Sequence, residues 1–132
     1  LIRLFRRLSE YGGNPSPLPV YAAATALWGE ESHVEANRAL YLEKFEMAER
    51  ILSNRFGFYR PDGGFFLWLD VGDGEAATRE LWTRAAVRVL PGAYLAADEP
   101  DGGNPGARYI RVAMVHEAAV TADALGRIAE TL

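Results

Sequence analysis

Tyr109-Ile-Arg-Val-Ala-Met-Val115 alternates in character. Successive side chains of a strand point to opposite faces, so Ile110, Val112 and Met114 share one face and Tyr109, Arg111 and Ala113 the other. The segment reads as a strand with one apolar face and one face that carries a cation. Upstream, Asp98 to Gly106 holds two prolines and three glycines and reads as a mobile surface loop. Before it, Val87 to Leu90 reads as a short strand stopped by Pro91-Gly92. Phe65 to Val71 is a nearly continuous apolar run of strand length, rich in aromatics and set between the turn signals Pro61-Asp-Gly-Gly64 and Gly72-Asp-Gly74.

The remaining segments carry helical periodicity. Glu75 to Ala86 is amphipathic, with Leu81, Trp82 and Ala85 on one side. Ser32 and Glu35 form a capping box for a long helix reaching about Phe56. On that helix Val34, Tyr41, Phe45, Ala48 and Leu52 form an apolar stripe, flanked by Leu40, Met47 and Ile51 and facing away from Glu43, Glu46, Glu49 and Arg50. Val20 to Trp28 is alanine-rich and ends at Gly29. Leu1 to Glu10 spaces Leu1, Leu4, Phe5 and Leu8 as a helix does, until Tyr11 to Pro19 breaks it with two glycines and three prolines. A last helix runs from Glu117 or Val120 to the end. Helices set against one face of a small, mostly antiparallel sheet predict an α+β two-layer domain.

The 132 residues suit one ordinary domain. No cysteine is present, which removes disulfides, thiolate metal sites and cysteine nucleophiles, and fits a reducing, cytoplasmic setting. The net charge of −4, with dispersed positive charge, argues against electrostatic binding of nucleic acid. No apolar run is long enough to span a bilayer, and Leu1 to Tyr11 has neither the unbroken apolar stretch nor the cleavage site of a signal peptide. The chain opens on Leu1 rather than Met, inside one helical pattern, and closes at Leu132 inside another. The N-terminal start predicts a piece cut from something longer.

Few residues are candidates for chemistry. The two histidines, His33 and His116, lie in different elements without a ligand pattern, so no metal site is expected. No Gly-x-Ser-x-Gly elbow exists for Ser9, Ser16, Ser32 or Ser53. Gly63-Gly64 and Gly102-Gly103 read as turn chemistry rather than phosphate cradles. Lys44, the only lysine, falls close to the apolar side of the long helix, where its stem is expected to lie along that face with the ammonium lifted to water. Arg111 interrupts an apolar strand. Pattern alone leaves two readings open: an arginine facing solvent or paired with an acid, or a guanidinium fork held on a strand to grip a carboxylate.

Taken in order, Pro61-Asp-Gly-Gly-Phe-Phe-Leu-Trp-Leu-Asp-Val71, Val87-Arg-Val-Leu-Pro-Gly-Ala-Tyr94 and Ala107-Arg-Tyr-Ile-Arg-Val-Ala-Met-Val115 resemble the C-terminal third of class I/II aminotransferases of the pyridoxal-phosphate (PLP) fold type I. Asn14-Pro-Ser-Pro-Leu-Pro-Val-Tyr-Ala-Ala-Ala24 is similar to the segment leading into that family's small domain, and the helix with Asn37-Arg-Ala-Leu-Tyr41 to its long interdomain helix. Each motif is weak alone; order and spacing carry the resemblance, which covers essentially the whole chain and is nearest to the amino-acid and succinyldiaminopimelate aminotransferases.

The resemblance implies several things. Residues 1–19 would close a large domain and form a hinge, and residues 20–132 would be the C-terminal small domain. Arg111 would be the substrate-binding residue, gripping the α-carboxylate of an amino acid or 2-oxo acid. The catalytic and cofactor-binding groups, including the Schiff-base lysine that binds pyridoxal 5'-phosphate, would lie upstream in the missing large domain, so that this chain alone would be inactive. The full protein would be a homodimer whose small domain moves when substrate binds, with Asp98 to Gly106 and Asn14 to Pro19 as moving parts. The competing expectation is a stand-alone module that binds an acidic ligand or a protein without catalysis.

Overall fold

The structure is a computed structural model and describes residues 1–12 and 16–132. The predicted hinge at Asn14 to Pro19 lies partly outside the described residues. The chain falls into two compact units, Leu1–Ala36 and Asn37–Leu132.

The first unit is helical. Helix α1 spans Ile2–Gly12 and α2 spans Leu18–Trp28. Proline in the first turn of α2 loses nothing, because that backbone N–H would have no helical partner anyway. Gly29 ends α2, as expected, with its N–H donating to the Ala26 carbonyl at 3.2 Å and the Glu30 N–H donating to that of Leu27 at 3.3 Å. Leu4, Phe5 and Leu8 of α1 are all exposed. Helix α3, Ser32–Leu52, begins one residue earlier than a capping box requires. The Ser32 N–H donates to the Glu30 carboxylate at 2.7 Å, so Glu30 takes the part expected of Ser32 and Glu35.

The second unit holds the core. Phe45, Ala48 and Leu52 of the predicted stripe are buried, with Tyr41, Met47 and Ile51 half-buried beside them. Helix α3 stops at Leu52 rather than Phe56, where Ser53 and then Phe56 turn to positive φ. Strand β1 is Phe66–Asp70, and Asp73 caps helix α4, Gly74–Glu80, by accepting from the N–H groups of Glu75 and Ala76. A π-turn at Leu81–Ala85 follows. The wider turn breaks the predicted apolar side: Leu81 and Ala85 stay buried while Trp82 is 61% exposed.

The predicted strand at Val87 to Leu90 forms only as β2, Leu90–Pro91. Val87 and Val89 alternate correctly and are buried, but pairing to a neighbouring strand begins only at Leu90. Strand β3 is Tyr109–Ala113, and helix α5 is Ala118–Thr131. The sheet order is β1-β3-β2, antiparallel throughout, with Trp68 and Leu90 both facing Arg111 across the central strand. Leu67, Leu69, Ile110, Val112 and Met114 pack with Leu81, Leu125 and Ile128 into one core cluster. The expected α+β two-layer arrangement is therefore present, with the core on one face of a three-stranded sheet.

The loop predicted to be mobile is held by hydrogen bonds. Glu99 N–H donates to the Gly103 carbonyl, and the Asn104 amide donates to the carbonyl of Ala93 and to Asp98. At its end the backbones of Gly92 and Gly106 touch: a Cβ on Gly106 would lie 2.3 Å from the Gly92 carbonyl oxygen. Only glycine permits that approach, which fixes where the chain enters β3.

Candidate functional site on the open face of the sheet

The face of the sheet turned away from the core carries Phe66, Trp68 and Asp70 from β1, Leu90 from β2, and Tyr109, Arg111 and Ala113 from β3. Directly opposed residues of an antiparallel pair share a face, and the register places Phe66 against Ala113, Trp68 against Arg111 and Asp70 against Tyr109. All but exposed Ala113 are half-buried. The Trp68 and Tyr109 rings meet edge-on at 6.2 Å.

Arg111 sits at the centre of this face. Its guanidinium carbon lies 4.2 Å from the centroid of the Phe66 ring, a cation–π contact. Among the described residues it has neither an ion pair nor a side-chain hydrogen bond. The one acid on this face is engaged elsewhere: Asp70 accepts from Arg108 Nε at 3.2 Å and Nη2 at 3.1 Å, and from the Gly72 N–H. Arg108 thus takes the carboxylate that a purely structural reading of Arg111 would have needed. Arg111 is left ordered against a ring, with a donor fork suited to an incoming carboxylate.

Lys44 departs from the expectation drawn from its position. It is buried rather than lifted to water, and its Nζ donates to the Met114 carbonyl at 3.0 Å while lying 4.8 Å from the Tyr41 ring centroid. It holds the backbone where β3 ends. Glu30, outside this face, is the one group among the described residues with a clearly displaced pKa: hydrogen bonds from Ser32 and His33 lower it from 4.5 to about 2. No group of three or more metal-ligating side chains gathers among the described residues. Among the described residues no helix is long and apolar enough to cross a membrane.

Phe66 is the site residue that sequence reasoning misses. In the sequence it is one member of the apolar run of β1 without a task of its own, because its meeting with Arg111 is diagonal and depends on strand register.

No protein-family model matches the chain. It is 27% identical to the 4-dedimethylamino-4-oxo-anhydrotetracycline transaminase OxyQ of Streptomyces rimosus, over 86% of this chain and 30% of that one. Its structure superposes with a TM-score of 0.83 on an aminotransferase from Neisseria meningitidis, at 41% identity, covering 98% of this chain and 33% of the other. The aminotransferase AspB of Helicobacter pylori gives a TM-score of 0.76 at 26% identity, covering 97% and 32%. The chain matches a C-terminal segment of aminotransferases. It spans about a third of the length of the relatives it resembles. Both sequence and fold favour this expectation over a stand-alone binding module.

Proposed function

We propose that this chain is the substrate-gripping domain of a PLP-dependent aminotransferase, and that Arg111 binds the α-carboxylate of an amino acid or 2-oxo acid. The observation that carries the reading is a half-buried guanidinium at the centre of the open sheet face with no acidic partner among the described residues. A bidentate pair with a carboxylate would satisfy the fork and fix the orientation of the substrate about its α-carbon. Trp68, Tyr109 and Leu90 flank that position and would exclude water from one side of it.

When bound, the cofactor would act as the electron sink for chemistry at the α-carbon. This chain offers it no anchoring amine, because Lys44 is buried and committed to the Met114 carbonyl. The groups that hold PLP therefore belong, in this reading, to the two thirds of the protein represented in the relatives but not in this chain. The exposed Leu4, Phe5 and Leu8 on α1 are what a covering large domain would seal. Residues 1–19 would close that domain and residues 20–132 form the small one, in a cytoplasmic homodimer. The chain on its own would then show no transaminase activity.

The test is Arg111→Ala in the full-length protein. Loss of a charge-assisted bidentate contact is expected to lower kcat/KM by roughly ten- to hundredfold. Arg111→Lys should recover little, since an ammonium lacks the planar fork. Unchanged kcat/KM in Arg111→Ala would refute the assignment.

A further inference from the structure

A guanidinium meant to receive a carboxylate faces a conflict. An acidic neighbour would order it but would also occupy its donors. The structure orders Arg111 another way. Its guanidinium lies 4.2 Å from the Phe66 ring, Phe66 lies 4.2 Å from Phe65, and Phe65 lies 5.9 Å from Tyr41 of α3. The Lys44 ammonium is 4.8 Å from that last ring. Three aromatic rings thus run between two cations.

The far end of this row is fixed to the strand that carries Arg111. The Met114 N–H donates to the Phe65 carbonyl at 2.9 Å, and the Met114 carbonyl accepts from Lys44 at 3.0 Å. The peptide that leaves β3 is therefore held by residues at both ends of the Tyr41–Phe65 pair. Phe66 is half-buried, and its neighbours restrict where its ring can lie.

We propose that Phe66 is a positioning residue for Arg111: its ring face orders the guanidinium while leaving the N–H fork open to the substrate carboxylate. The attraction comes from the negative face of the ring and uses no hydrogen-bond donor. An aromatic platform is therefore the kind of support that keeps an arginine both ordered and vacant. This inference rests on the carboxylate-binding reading of Arg111.

The experiment compares Phe66→Leu, Phe66→Tyr and Arg111→Ala in the full-length enzyme, by steady-state kinetics and by crystal structures of the first two. Phe66→Leu keeps apolar bulk and removes the ring. It should raise KM for both amino-acid and 2-oxo-acid substrates about fivefold, with kcat changed by less than about twofold, as loss of ground-state binding requires. Its guanidinium should be displaced from the position seen beside Phe66. Phe66→Tyr, which returns the ring, should restore both KM and the guanidinium position. If Phe66→Leu does not fold, Phe66→Met is read by the same two measurements. An unmoved guanidinium, or an unchanged KM where Arg111→Ala raises it, overturns the proposal. If Arg111→Ala itself leaves KM unchanged, it is the carboxylate reading that fails, and the guanidinium position in Phe66→Leu alone then decides whether Phe66 holds Arg111.

Discussion

The two faces of the three-stranded sheet are built from the same strands, yet they differ in burial and in what they carry. One face presents Leu67, Leu69, Ile110 and Val112 to a sealed core, with Leu69 and Ile110 fully buried. The other presents Phe66, Trp68, Tyr109 and Arg111, all half-buried. Stability is concentrated where apolar area is fully removed from water, which leaves the open face free to carry a cation without an acidic partner. The largest expected effect tests this directly. Leu69→Ala should cost about 3 kcal/mol in urea unfolding, from lost transfer energy plus a cavity. Arg111→Ala, on the next strand but the opposite face, should cost less than about 1 kcal/mol. Comparable losses from both would erase the distinction between the faces.

Lys44 sharpens the comparison because it is a cation on the buried side. Arg111 keeps its donors open, whereas Lys44 spends one on the Met114 carbonyl at the end of β3. Lys44→Met keeps the apolar stem and leaves that carbonyl without this partner. The expected cost is about 2 kcal/mol, typical of losing a charged hydrogen bond to a buried acceptor. A neutral result would mean that the ammonium contributes nothing net, its desolvation cancelling the bond.

The same contrast explains which features can be read from the sequence. Strand β3 is legible because both faces obey a period of two, and Arg111 stands out as the one charge in an apolar alternation. The stripe of α3 is legible through Phe45, Ala48 and Leu52 for the corresponding helical reason. Val87 to Leu90 misleads because alternating burial describes an extended chain, whereas a strand also needs a partner; only Leu90 and Pro91 reach β3. Trp82 misleads because a π-turn changes the residue count per turn, and no residue type in Leu81 to Ala85 announces one. The support of Arg111 is not legible at all. Phe66 and Arg111 lie 45 positions apart and meet only through a register that side-chain patterns do not specify.

Helix starts give the smaller tests, and they follow the same division between core and surface. Asp73 begins α4, whose Ala77 is buried in the core, and its carboxylate accepts from the N–H groups of Glu75 and Ala76 at 3.1 and 3.0 Å. Asp73→Ala should cost about 1 kcal/mol, the usual value of an N-cap, read as a shift of the urea midpoint. A midpoint that does not move would show that α4 is held by its packing alone.

Glu30, just before α3, is exposed, and its effect should be local. Bonds from Ser32 and then His33 hold its pKa at about 2 instead of 4.5. The folded value lies below the unfolded one, so the stabilisation is fully present above pH 4.5 and is lost as pH falls toward 2. A carboxyl titration followed by NMR should therefore show Glu30 with a midpoint near 2 at low salt, moving upward in Ser32→Ala. Fraying of the first turn of α3 should follow the same titration, while the amide signals of β1 and β3 stay unchanged. A Glu30 midpoint at 4.5 would mean that this carboxylate does not hold the helix start, and that of the two helix-capping acids only Asp73, on the core side, acts as one.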